Sequence, residues 1–201
     1  MMIRPCFQHF ALAMACAFAC SAHAQTVSTG SHPILTAATA GSVSPRLEKN
    51  PAPLMKVQVL GRGSQEITYA VIFGKGDEVM AGLTEFAQQY HVGAARITGI
   101  GGIEEATVGF FDRPGKRHRP MQIDQPAEVL SLLGDIALLH GQPVVHLHMV
   151  VGFPDGSAHG GHLLRAQVWP TMEVIVTAYP NAMNKRLDAE TGVTVIDPSE
   201  K

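Results

Sequence analysis

The chain has 201 residues, a formal net charge of −2 and only 6% aromatic residues. That length fits one ordinary domain with extra segments. The charge balance offers no basic stripe for phosphates, and the sparse aromatics offer no stacking platform for single-stranded nucleic acid.

Met1 to Arg4 give a short positive start, followed by the apolar run Phe10 to Cys20 and the small-x-small site Ala22-His23-Ala24. This is the pattern of a cleaved secretory signal over residues 1–24, with a mature chain starting at Gln25 and a periplasmic or secreted location. The run is too short for a permanent membrane span. A lipoprotein signal using Cys20 competes, but the bulky Phe18 next to the cut fits it poorly. Cys6, Cys16 and Cys20 all lie in this segment, so the mature chain would have no disulfide, thiolate ligand or cysteine nucleophile. Residues 25–54 are rich in Ser, Thr, Ala, Gly and Pro, include His32, and lack a sustained period, so they read as a flexible leader.

The domain is expected over residues 55–198. MKVQVL from Met55 alternates as a half-buried strand does, and ITYAVIF (67–73) is a second strand. Asp77 is a candidate N-cap for a helix over 77–91, with Val79, Leu83, Phe86 and Tyr90 on one face and Gly93 as the stop. AARITGIGG and EATVGFFD read as two strands joined through Gly101-Gly102. The basic group Arg113, Lys116, Arg117, His118 and Arg119 reads as a solvated loop. AEVLSLLGDIALLHG (127–141) fits a helix or two strand-like pieces. VVHLHMVVGF (144–153) and TMEVIVTAY (171–179) are strands by composition, and VTVID is an edge-strand candidate. One principal helix among six or seven strands implies an α+β domain with a mainly antiparallel mixed sheet.

The chemistry concentrates in the second half. Alternation puts His146 and His148 on one strand face, about 7 Å apart at the backbone, opposite the apolar Val145, Leu147, Met149 and Val151. His162 follows a turn and the double glycine Gly160-Gly161, which lets the backbone approach another element closely. Three imidazoles with an open fourth position form a catalytic-type zinc site, and His159 is available should the site be closed. Imidazole also suits copper, nickel and iron. His91, His118 and His140 read as helix-end, loop and turn residues. Glu173 is a possible partner to orient a ligating imidazole.

Competing motifs fit less well. H-x-H followed by Pro154, Gly156 and His159 resembles a cupin pattern but lacks its acidic ligand and its intervening strands. Glu104 stands where a dinucleotide fingerprint needs its last glycine, and no G-x-S-x-G elbow or Walker loop occurs. Glu104, Glu105, Asp135 and Glu173 are scattered and pair with nothing in sequence.

The ordered set AARITGIGGIEEATVGFFD, EVLSLLGDIAL, PVVHLHMVV, GGHLL and PTMEVIVTAY resembles the PPC domain (plants and prokaryotes conserved, DUF296) over about residues 55–182. The resemblance implies an α+β fold, a homotrimer and, in some bacterial members, metal at the histidines matching His146, His148 and His162. Plant members carry the domain after AT-hooks, where it mediates self-association and partner binding. This sequence has no R-G-R-P core. Export would also separate it from chromosomal DNA. The sequence thus points to a metal-binding trimer, with a metal-dependent hydrolase or lyase, or a DNA-binding or interaction module, as alternatives. A small-molecule ligand is compatible with an open metal position.

Overall fold

A computed structural model describes residues 51–199. The expected signal over 1–24 and the leader from residue 25 to residue 50 lie outside the described residues. Pro51 to Leu54 pack on the domain: Ala52 is buried, and the Pro51 carbonyl accepts from the Glu78 amide. No helix among the described residues is long and apolar enough to cross a membrane.

Among the described residues, nine strands and one helix follow in order: β1 (Lys56–Arg62), β2 (Ile67–Gly74), α1 (Val79–Gln89), β3 (Ala94–Asp112), β4 (Arg117–Ile123), β5 (Ala127–Leu139), β6 (Gln142–Gly152), β7 (Ala158–Ala178), β8 (Lys185–Leu187) and β9 (Thr194–Ile196). The first seven strands form one sheet in the order β1-β2-β7-β6-β5-β3-β4, and β8 and β9 form a separate hairpin. All ladders in the large sheet are antiparallel, so the expected α+β fold with one principal helix is the fold observed. β3 also pairs with β7, which closes the sheet on itself through β5 and β6.

The closed side holds the core. Ile97, Leu132, Leu147, Met149, Leu163, Met172 and Val174 are almost or wholly inaccessible to solvent. The helix adds Leu83 and Phe86 to the same core, beside Phe73 of β2. Tyr69 and Tyr90 both contact the Phe86 ring, at centroid distances of 5.2 and 5.0 Å. Each large side chain buried here contributes roughly 1.5–3 kcal/mol.

Three local expectations need correction. The helix N-cap is Glu78, not Asp77: its extended backbone precedes the helix, and its carboxylate accepts from the amides of Met80 and Ala81 at 3.2 and 2.7 Å. Asp77 is instead buried, accepting from the amides of Leu54 (3.0 Å) and Gly74 (2.9 Å), so it fastens the chain entering the domain. Second, the two expected strands around Gly101-Gly102 are one strand, β3, with ladder irregularities from Gly99 to Ile103. The glycines there make bulges rather than a turn. Third, residues 127–139 are one strand rather than a helix or two pieces, with an irregularity between Val129 and Ser131.

Candidate metal centre

β6 places the first two histidines as its alternation requires. Val145, Leu147, Met149 and Val151 are buried, whereas His146 is half-buried and His148 exposed on the other face. The third histidine arrives by strand pairing, not from a loop. Residues 158–162 already belong to β7, and His162 lies directly opposite His148 in the β6–β7 ladder. Gly160 permits that approach, since a Cβ there would fall 2.3 Å from the Met149 carbonyl oxygen. Each of His146, His148 and His162 offers a nitrogen within 4.8 Å of the others. Their ring centroids are separated by 5.1 to 5.4 Å.

His159 is excluded by the same alternation. It pairs with Val151, on the side of the ladder opposite to His162, and its ring meets Phe153 at 5.3 Å.

Two neighbours of the cluster escaped the sequence reading. His118 is on β4, not in a loop, and its ring stacks on that of His162 with centroids 4.1 Å apart and planes 14° apart. Gly109 makes the room: a Cβ there would sit 2.9 Å from the His118 Cβ. The lower part of the basic group, from Arg117 to Arg119, is therefore strand, and Arg119 pairs with Asp112 at 3.0 Å. Asp135 is the second neighbour. It lies opposite His146 in the β5–β6 ladder, and its Oδ2 accepts from the His146 Nδ1 at 3.2 Å. Glu173, the partner suggested by sequence, lies opposite Ile72 and Ile100 and does not serve this role.

A carboxylate only accepts, so the neutral His146 ring carries its proton on Nδ1, the tautomer that leaves the Nε2 lone pair for a metal. The other Asp135 oxygen, Oδ1, is 2.7 Å from the Nζ of Lys185, whose side chain is buried. That contact is an ion pair without the alignment of a good hydrogen bond. Burial pushes the Asp135 carboxyl up, but the His146 and Lys185 contacts together bring it below the ordinary value. Burial, then the charges of His118, His146, His148 and Lys185, hold His162 down to about 4. Burial is also the first cause lowering His118 and His148, with neighbouring imidazoles adding to it. These shifts favour the neutral imidazole at His118, His148 and His162, the form that donates to a metal.

The donor set fits a divalent ion. Metal–nitrogen bonds of about 2.0–2.1 Å in tetrahedral geometry place the nitrogens about 3.3 Å apart, a small inward rotation from the present spacing. Asp135 supplies the outer carboxylate that such a histidine characteristically carries. A groove of about 680 Å³, lined by Leu130, Phe153 and Trp169 among others, includes none of these histidines. The chemistry is therefore on the sheet surface rather than in that groove.

Residues 60–180 match the Plants and Prokaryotes Conserved (PCC) domain. The chain belongs to this family. Solved structures agree. A Pyrococcus horikoshii plant- and prokaryote-conserved protein is 25% identical with a TM-score of 0.63, over 70% of this chain and 97% of that one. A protein from Ralstonia eutropha described as a DNA-binding candidate is 32% identical with a TM-score of 0.61, over 64% and 90% of the two chains. A metal-containing protein from Archaeoglobus fulgidus is 27% identical with a TM-score of 0.61, over 72% and 98%. No curated protein is significantly similar to the chain.

Proposed function

We propose that this PCC-domain protein is an exported homotrimer that binds a divalent metal, zinc foremost, through His146, His148 and His162. The carrying observation is the convergence of three imidazole nitrogens within 4.8 Å on neighbouring strands. The metal content of the Archaeoglobus fulgidus relative supports it. A metal held there would supply a Lewis acid with a coordination position open to a small ligand. Export rests on the signal pattern at residues 1–24. Self-association is supported by apolar side chains left exposed beside the histidines: Leu133, opposite His148, and Val150, next along the same face. Apolar surface of this kind is favoured at protein contacts.

One experiment addresses these parts together. The full-length chain is expressed, located by separating periplasm from cytoplasm, purified, loaded with zinc, dialysed, and analysed for metal, mass and N-terminus. The reading expects one zinc per chain, a trimer by light scattering and an N-terminus at Gln25. A metal-free monomer retained in the cytoplasm contradicts it.

His118 favours a second reading, a metal-dependent hydrolase or lyase. Its ring lies against His162, which puts a fourth imidazole beside the three that would hold the metal. Hydrolysis of activated esters that disappears with the metal would support this reading, and a fourth protein ligand filling the open position would end it. A DNA-binding role, suggested by the description of the Ralstonia relative, suits this chain less well, given its net charge of −2 and its signal pattern.

A further inference from the structure

The C-terminal hairpin lies beyond residues 60–180, the part that matches the family. It is nevertheless built into the histidine site. Leu138 at the end of β5 donates its amide to the Met183 carbonyl at 2.7 Å and bridges to Asn184 in parallel. Met183 in turn donates to the Gly93 carbonyl at 3.1 Å. This anchoring turns the Lys185 side chain inward, where it is 3% exposed and 2.7 Å from Asp135. At its far end the hairpin reaches the β3–β4 turn, with the Lys116 Nζ donating to the Ala189 carbonyl at 3.3 Å. The segment thus reaches both flanks of the cluster: β5 beside His146, through Lys185, and the β3–β4 turn at Lys116, two residues before His118.

A buried lysine is costly unless its charge is matched. Here its match is the carboxylate whose other oxygen accepts from His146. The arrangement has a geometric consequence. With Oδ1 engaged by Lys185, Asp135 presents Oδ2 to the His146 Nδ1, which leaves Nε2 as the nitrogen that can ligate a metal.

We propose that Lys185 and Asp135 are positioning residues for the metal site: the C-terminal hairpin supplies a buried cation that fixes the Asp135 carboxylate, and the carboxylate fixes the orientation and tautomer of His146. The inference rests on the metal-binding reading for its purpose, but its structural content is independent of metal.

Nitrogen-15 spectra of the imidazoles in the metal-free full chain give the first test. His146 is expected to hold its proton on Nδ1; a proton held mainly on Nε2 overturns the proposal, whether or not the protein binds zinc. The second test is zinc affinity by chelator competition. The double variant Asp135→Leu/Lys185→Met removes the acceptor and the cation together while keeping a branched side chain at residue 135, leaving no uncompensated buried charge. It is expected to weaken zinc binding about 10- to 100-fold and to release the tautomer preference. Lys116→Ala removes only the far contact to Ala189, leaves the Leu138–Met183 anchor in place, and is expected to keep both properties. A double variant with wild-type zinc affinity and the wild-type tautomer overturns the proposal. If wild type binds no zinc yet holds the Nδ1 proton, the metal reading fails and the positioning of His146 stands.

Discussion

The two faces of β6 carry different tasks. On one, Val145, Leu147, Met149 and Val151 are buried in the core; on the other, His146 and His148 meet His162, Asp135 and the neighbourhood of His118. A single stretch of chain therefore holds the fold with its odd-numbered residues and the chemistry with its even-numbered ones. The lesson is that the site needs no loop to build it. Strand pairing already fixes backbone positions to a fraction of an ångström, and the core face anchors them.

The comparison predicts that the faces can be broken separately. Replacing His146, His148 and His162 together with alanine is expected to abolish stoichiometric zinc binding, read by chelator competition, while the circular dichroism of the metal-free protein is unchanged. The core face behaves oppositely. Leu147→Ala removes a wholly buried side chain and is expected to cost about 2–5 kcal/mol in urea unfolding. His148→Ala, one residue away and exposed, is expected to change metal-free stability by less than about 0.5 kcal/mol.

How much of this was legible in the sequence follows from what each residue depends on. His146 and His148 were readable because alternation within one strand is a local property. His162 was readable as a third ligand from its nearness and from Gly160-Gly161, although its delivery by the β6–β7 ladder rather than by a loop was not. His118, Asp135 and Lys185 reach the cluster only through the β3–β4 and β5–β6 pairings and the docking of β8. Register between distant strands leaves no mark on any of these residues individually. The glycines misled for a related reason. A glycine that lets a strand bulge, as around Gly101, has the same letter as one that ends it.

A weaker effect sharpens the electrostatic side of the contrast. His162 is held down to about 4, below its usual value. Between about pH 6.5 and 4 the unfolded chain therefore binds more protons at this residue than the folded chain does. Its contribution to stability is constant above pH 6.5, declines as pH falls toward 4, and changes no further below that. Thermal unfolding of the metal-free protein across this range is expected to show the decline, and His162→Gln is expected to lessen it. His118 has a small expected effect. Its stacked contact with His162 is of a kind that contributes about 0.5–1.5 kcal/mol, so His118→Ala should weaken zinc binding roughly two- to tenfold. His159→Ala, on the other face of β7, should leave the affinity unchanged.

X-ray absorption at the zinc edge of the zinc-loaded full chain tests the central claim most directly. The expected spectrum has three imidazole nitrogens at about 2.0–2.1 Å and one further light-atom neighbour, and it collapses when His146, His148 and His162 are replaced. Zinc surrounded by oxygen alone, or an imidazole signature that survives those replacements, would contradict a three-histidine metal centre.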